Sequence, residues 1–472
     1  MAKQKKRKIK KSVKWGCLVF LLLPVVVYLL FALRERIDRM APDAELSDSL
    51  SLVQSGAQQT HATDTAVLAR IEQRMQYIFS TPQRLDTSTI ALEIYDIDTR
   101  RTIYSRHATR LAPPASCMKL LTAVAAMQYL GIDYRFQSQV RAYGTREGGT
   151  LHGDLVILLS DDPLTDNLEP LAQAVRRRGI SKVDGQVQLH LLRTDTLRAH
   201  ASASVWDIPF NKLPITLRGS DPILSELKAA MRRQGVTVTG QWTCTSDLKT
   251  WHRVQREPQY DSPDAPARYA LLWHRETPLT DVLAPMLIFS SNIKADALFQ
   301  HMERLSATIP LVDASDGRWL QPIMYQALQS DVATTSQDDD TFSSATHILS
   351  DYVVNDGSGL SPTNRLTAHF LVKLLEYAWH DEPMRRVLLD QALATPAHPT
   401  RHGSLLTRMS APLFVNKVFV KTGTLTTRGL SSLAGYVQAC DGRWLIFAVI
   451  NENSPVGDSR VFQDHLCREM VR

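Results

Sequence analysis

Three short polar strings lie far apart in this 472-residue chain, and only a fold that gathers them gives them a common chemistry. They are Ser116-Cys-Met-Lys119, Ser290-Ser-Asn292 and Lys421-Thr-Gly423. In the first, serine and lysine stand one helical turn apart, on the same face. A serine hydroxyl attacks only when a neighbour takes its proton. A lysine can do so where burial and nearby positive charge lower its pKa.

Context decides which serine this is, because S-x-x-K recurs in the chain, as at Ser225/Lys228 and Ser246/Lys249. Ser116 follows Leu-Ala-Pro-Pro-Ala and opens the apolar run LLTAVAAMQYLG, which stops at Gly131. Those are helix start and stop signals, and they predict a helix buried at one end. Ser225/Lys228 falls on a surface helix, SELKAAMRRQG, and Ser246/Lys249 in the polar stretch TSDLKTWHR, where a lysine stays solvated and protonated. Lys421 and the amide-rich start of the Ser116 helix would supply the positive field that Lys119 needs.

Ser290-Ser-Asn292 interrupts PLTDVLAPMLIFSSNIKADALFQHM, whose spacing predicts two helices broken by a short polar loop. Ser290 would pass a proton between Lys119 and a leaving amine, and Asn292 would bind a substrate amide. Lys421-Thr-Gly423 ends the strand-like run NKVFVKTGTL. GLSSLAGYVQA and RWLIFAVIN follow, separated by CDG, a hairpin signal. A strand at the side of such a meander can hold an extended peptide by strand addition. Lys421 and Thr422 would then face a terminal carboxylate, and Gly423 would let the substrate backbone approach. The amides of Thr424 and Ser116 would form an oxyanion hole.

The motifs, in this order, resemble those of peptidase family S13, the D-alanyl-D-alanine carboxypeptidases and endopeptidases also called low-molecular-mass class C penicillin-binding proteins. The resemblance extends to ALEIYDIDTRRTIYS, YRFQSQVRAYG, LHGDLVILLSDDP, Asp356-Gly-Ser-Gly-Leu-Ser361, His402-Gly-Ser-Leu-Leu and KTGTLTTRGLSSLAGYV, from about residue 63 to the end. It implies an α+β, β-lactamase/transpeptidase-like fold in which helices flank an antiparallel sheet. The family's acylating serine matches Ser116, its base Lys119, its S-x-N Ser290 and Asn292, and its K-T-G Lys421, Thr422 and Gly423. It also implies cleavage of peptidoglycan stem peptides through an acyl-enzyme, with β-lactams as inhibitors, endopeptidase activity on D-alanyl cross-links, and no cofactor. Two positions depart from the family pattern: Ser291 replaces a usually acidic residue, and the loop before Asp-Pro reads Leu159-Ser-Asp-Asp-Pro163. A β-lactamase uses the same motifs, but no dedicated deacylating glutamate stands out between S-x-N and K-T-G. A catalytically silent wall-binding protein is the other alternative, and nothing in the motif residues suggests decay.

Ser116 and Ser290 are 174 positions apart, more than one helix-and-loop layer needs, and the chain exceeds the usual size of one domain. The short strand runs between them predict one or two inserted α+β modules at 132–273, dividing the catalytic domain into 62–131 and 274–472. Its sheet should combine a hairpin near 89–106 with the meander at 417–451. A leading helix is expected from Ala62 to Ser80, and VFQDHLCREMV should close the chain. The polar run 334–344 reads as a solvated surface loop, and no metal signature occurs.

The N-terminus bears on location. Eight basic residues and no acid precede or lie within Met1–Leu33, and Gly16–Leu33 is an 18-residue apolar run, long enough to span a bilayer. With no small-residue cleavage site directly after it, 1–33 reads as a retained signal anchor, with 34–61 as a linker. The catalytic domain would then lie outside the cytoplasmic membrane, or be periplasmic if the segment is cleaved. The formal charge of +6 comes from this tail, since the remainder carries 46 basic and 48 acidic residues, so it gives no support for a nucleic-acid partner. Five cysteines make no disulfide framework. Cys440 and Cys467 are the one candidate pair, and Cys117 is expected to be a small buried residue.

Overall fold

The computed structural model describes residues 66–81, 84–203, 210–256, 269–306, 319–335 and 349–472. The basic tail, the apolar 16–33 segment, the linker and nearly all of the polar 334–344 run lie outside them. No helix among the described residues is long and apolar enough to cross a membrane.

The catalytic sheet draws on both ends of the chain, as expected. Strands β1 (Ile90–Asp96) and β2 (Arg101–Arg106) form a hairpin, and β10 (Val418–Leu425), β11 (Leu430–Gln438) and β12 (Trp444–Asn451) form the meander. Antiparallel pairing gives the order β10-β11-β12-β1-β2, with β1 against β12 from Ile90↔Asn451 to Asp96↔Leu445. All seven residues of β1 are buried, which requires cover on both faces of the sheet. Alternation divides them: Ala91 and Tyr95 join one core with Ala434, Tyr436, Ile446, Ala448 and Ile450, while Leu92 and Ile94 point to the other face. Helix α1 (residues 66–80) and α11 (Val456–Val471) meet where Phe79 packs edge-on against Phe462 at 5.5 Å.

Helix α2 (Met118–Leu130) is buried continuously from Met118 to Met127 and stops at Gly131, φ +87. Such all-round apolarity marks a central helix. It shares the main core with α6 (Leu279–Ile288), α7 (Asn292–Ser306), α8 (Gln321–Thr335), α9 (Ala368–His380) and α10 (Glu382–Val387).

The region between the first two motifs builds a second sheet with its own apolar core, centred on Val140, Leu155, Ile157, Leu189 and Leu227. Long strands β3 (Arg135–Glu147), β4 (Thr150–Leu159) and β9 (Ala270–Pro278) pair antiparallel. Short strands β5 (Lys182–Val183) and β6 (Val187–Leu191) run parallel to β4 and are extended by β7 (Thr237–Val238) and β8 (Trp242–Thr245). Helices α3 (Glu169–Arg177) and α4 (Ser220–Arg233) cover it. Because β9 pairs with β3 as far as Arg135↔Pro278, the strand that completes this sheet crosses the expected boundary at 273.

Two details differ from expectation. TSDLKTWHR is not merely a polar stretch: Asp247 caps helix α5 (Leu248–Arg256) by accepting from the Lys249 and Thr250 amides at 3.2 and 3.0 Å. Cys440 and Cys467 are unbridged, Cys440 exposed and Cys467 fully buried within α11. Cys117 is buried, as expected.

Of two aspartates after β4, Asp161 ties the second sheet to helix α7, and Asp162 fastens the loop after β4 to β9. Asp161 Oδ1 lies 2.8 Å from His301 Nδ1, and His301 Nε2 lies 2.8 Å from the Tyr134 hydroxyl. Asp162 Oδ2 accepts from Thr165 and Thr277 and pairs with Arg275 at 3.2 Å. His301 is on α7, the helix that begins at Asn292.

Candidate active site

Ser116 stands in a 3-10 turn, Ala115–Cys117, that leads into α2 rather than in the α-helix proper. Ala115 holds the left-handed conformation (φ +46), a strained geometry for a residue with a Cβ. Ser116 is half-buried, while Lys119 in the first turn of α2 is fully buried. Lys119 Nζ is 2.9 Å from Ser116 Oγ, 2.8 Å from Asn292 Oδ1 and 2.5 Å from the Ser358 carbonyl oxygen.

This three-way contact suits a base. A neutral amine has two N–H donors and one lone pair. Asn292 Oδ1 and the Ser358 carbonyl can only accept, so they take the two donors and leave the lone pair for the Ser116 O–H. Burial, then the charge of Lys421, bring the Lys119 pKa down to about 7.

The loop 289–291 separates α6 from α7, and Ser290 adopts φ +57 within it. Lys421 on β10 is 1% exposed and donates to Ser290 Oγ at 3.0 Å and to the Thr422 carbonyl at 2.7 Å. Its burial lowers its pKa to about 8. The hydrogen bonds thus make two groups, Ser116–Lys119–Asn292 and Ser290–Lys421, and the charge of Lys421 acts on Lys119. Thr422 diverges from Lys421, as neighbours on a strand must. Its half-buried hydroxyl lies 2.6 Å from Ser404 Oγ, in the His402-Gly-Ser-Leu-Leu string. Two residues along, the Thr424 hydroxyl accepts from exposed Arg460 at 3.2 Å.

β10 is an edge strand of its sheet. Val420 exchanges backbone hydrogen bonds with Ala394 at 2.8 and 3.2 Å, so its amide and carbonyl point away from β11. Thr422 and Thr424 share that parity and direct their backbone groups along the same edge. Gly423 has a nearer neighbour than any substrate: a Cβ there would lie 2.1 Å from Ser432 Oγ and 3.0 Å from the Ser116 amide nitrogen. It lets the Ser116 turn rest against β10, which brings the Ser116 amide beside the edge that carries Thr424.

Two contributors had no role assigned from sequence. The Asp356-Gly-Ser-Gly loop holds Lys119 through the Ser358 carbonyl and is fastened by Asp356, which accepts from the Gly359 and Ser361 amides, both at 2.6 Å. Gly359 (φ +79) lies against the Ala115 carbonyl, and Thr122 Oγ1 donates to the Gly357 carbonyl at 2.7 Å. The other is Asp296, one turn after Asn292 on α7 and 2% exposed. Burial, then Asp356, raise its pKa well above the carboxylate range. The D-G-S-G string was a visible signal, whereas Asp296 was hidden in a helix whose periodicity reads as core. Among the described residues no group of three or more His, Cys, Asp and Glu side chains is placed to hold a metal ion.

Known proteins resemble this chain in sequence and in fold. The sequence profile of the D-Ala-D-Ala carboxypeptidase 3 (S13) family matches residues 71–206 and 213–466. A D-alanyl-D-alanine carboxypeptidase of Actinomadura sp. is 23% identical over 475 aligned residues, covering 82% of this chain and 81% of that protein. The D-alanyl-D-alanine carboxypeptidase DacB of Haemophilus influenzae is 22% identical, covering 73% of this chain and 81% of its own length. The crystal structure of penicillin binding protein 4 (dacB) from Haemophilus influenzae has the same fold, with a TM-score of 0.58 at 18% identity over 82% of this chain and 98% of that one.

Proposed function

The chain belongs to the D-Ala-D-Ala carboxypeptidase 3 (S13) family of serine-type hydrolases, and from that premise we propose that Ser116 acylates on peptidoglycan stem peptides with Lys119 as its base. Ser116 Oγ attacks the carbonyl of the penultimate D-alanine, and Lys119 takes the proton as the bond forms. The proton then passes to the leaving D-alanine through Ser290, whose hydroxyl accepts a hydrogen bond from Lys421. The Ser116 and Thr424 amides stabilise the oxyanion. Asn292, whose Oδ1 is held by Lys119, offers its Nδ2 to the substrate amide, and Thr422 meets the terminal carboxylate. Water then hydrolyses the acyl-enzyme. The same cleft accepts D-alanyl cross-links, giving endopeptidase activity, and β-lactams, whose acyl-enzyme persists.

The observation that carries this reading is the Lys119 amine, held by two acceptors and 2.9 Å from Ser116 Oγ. The β-lactamase alternative gains no support from Asp296, the acid nearest Lys119 on α7, because at 2% exposure it offers no surface to an attacking water. The segment 132–278 is read as one inserted module on the strength of its separate core and the β9–β3 pairing. The basic tail and 18-residue apolar run support an anchor that holds the enzyme outside the cytoplasmic membrane.

Intact-mass spectrometry with benzylpenicillin tests the assignment. A single lasting adduct is expected, lost in both Ser116→Ala and Lys119→Ala, because residues that act as a unit fail together. Substantial acylation in either variant refutes it, and rapid penicillin loss without an adduct identifies a β-lactamase.

A further inference from the structure

The proton path above gives no task to Asp296. It is 2% exposed, and neither carboxyl oxygen has a hydrogen-bond partner of normal geometry among the described residues. Buried acids ordinarily come with such partners, because an isolated ionised carboxylate is costly away from water. Asp296 lies four residues after Asn292 on α7, on the helix face whose first residue accepts from Lys119. The charged groups that face it are Lys119 from α2 and Asp356 from the 356–361 loop, with the Ser358 hydroxyl and amide near enough to favour its ionised form. Lys119 is faced in turn by Lys421 from β10, by Asp356 and Cys117, and by Asp296 itself.

We propose that Asp296 is a positioning residue that sets the protonation state of Lys119 through its charge, one proton being distributed between the two buried groups without a direct hydrogen bond. The inference rests on Lys119 as the base for Ser116. When the shared proton sits on the carboxyl, Lys119 is a neutral amine with its lone pair toward Ser116. When it sits on Lys119, the pair is an ammonium and a carboxylate, and Ser116 has no base. During acylation Lys119 takes the Ser116 proton as the new C–O bond forms. It returns that proton to the leaving amine through Ser290 as the C–N bond breaks. Asp296 keeps its own proton throughout, so the step balances without a further donor. The negative charge that Asp296 can carry holds the proton on Lys119 to higher pH than burial beside Lys421 alone would allow.

The test is the second-order rate constant for acylation by benzylpenicillin, measured from about pH 5 to about pH 9 in wild type and Asp296→Asn. The acid limb of the variant is expected about one unit lower, so that its rate relative to wild type rises roughly fivefold between pH 8 and pH 6. A purely structural role lowers the rate by one factor at every pH, and an acid limb that does not move overturns the proposal. Should Asp296→Asn not fold, carbon-13 NMR of wild-type protein labelled at aspartate Cγ decides. One aspartate must titrate above the ordinary carboxylate range and shift when penicillin acylates the enzyme; if none does, the proposal fails. Ser116→Ala in the same experiments separates the two readings, because continued acylation there removes the nucleophile assignment while leaving the aspartate titration to be read independently.

Discussion

Replacing Gly359 by alanine tests whether the Asp356-Gly-Ser-Gly loop and the nucleophile's turn are one mechanical unit. The added Cβ would lie 1.8 Å from the Ala115 carbonyl oxygen and 3.0 Å from Met118 Cβ. Reaching even the shortest tolerated contact, about 3 Å, requires a relative movement of about 1.2 Å. No rotamer change relieves it, because the obstructing atom is backbone. The left-handed conformation at φ +79 adds about 1–2 kcal/mol for any residue with a Cβ. On one side of the contact Ala115 leads directly to Ser116. On the other, Ser358 supplies the carbonyl that holds Lys119. Any accommodation therefore pulls Lys119 from one of these partners. Misplacing reacting groups by about 1 Å costs on the order of a hundredfold, or about 2.7 kcal/mol in the barrier. Acylation by benzylpenicillin, followed by intact mass or stopped flow, should fall by about that factor, with a stability loss of about 2–3 kcal/mol in urea. Gly457→Ala is the matched control: it lies in α11 with nothing within 4 Å of its Cβ, and alanine there should be neutral or stabilise by up to about 1 kcal/mol. Acylation of Gly359→Ala within about threefold of wild type would refute the coupling of loop and turn.

The pH profile of acylation should be bell-shaped, rising through about 7 as Lys119 loses its proton and falling through about 8 as Lys421 loses its charge. A rate that is flat across that window in stopped-flow measurements contradicts the assigned roles. His301→Leu should destabilise the chain by about 3–5 kcal/mol in urea, because it strips Asp161 of a buried partner. Burial alone would raise the Asp161 pKa, and His301, Arg193 and Arg304 together bring it down to about 2. A loss under about 1 kcal/mol would mean that the tie between the second sheet and α7 is expendable. The full chain should sediment with membranes and resist alkaline extraction, while a chain starting near Ala62 should be soluble and still acylate; release of the full chain by salt alone would argue against a spanning anchor.

What was legible in the sequence was whatever depends on short spacing. Ser116 and Lys119 share a face through helical periodicity, and the CDG turn fixes the neighbouring strands of the K-T-G meander. What was not legible comes from backbone geometry and long separation. The third contact of Lys119 is the carbonyl of Ser358, 239 residues away, and any residue type carries a carbonyl. Gly423 was a visible glycine, but its neighbour, the Ser116 turn, appears only once β10 and α2 are packed. In the second sheet the two-residue strands β5 and β7 are too short to show a period, so its mixed parallel topology left no pattern to read. Asp296 sits among Ala295, Leu298, Phe299 and Met302 in a helix that reads as core, and its unusual burial is invisible without the loop that closes over it.

The two buried lysines explain why this site needs so much scaffolding. Lys119 and Lys421 are 0% and 1% exposed, and two permanent ammonium groups so far from water would be strongly destabilising. The fold answers in two ways. Every partner of Lys119 is held from elsewhere: Asn292 by the start of α7, Ser358 by Asp356, and Ser116 by a turn resting on Gly423 and Gly359. The same burial moves both lysines toward neutrality near physiological pH, so that little free energy separates the charged and uncharged forms. An acyl-transfer cycle that takes a proton from Ser116 and returns it to an amine runs on that small difference. A more solvated site would relieve the strain and leave Lys119 protonated, with no lone pair to offer. The burial that makes the site expensive to fold is thus the same feature that suits Lys119 to the base role proposed for it.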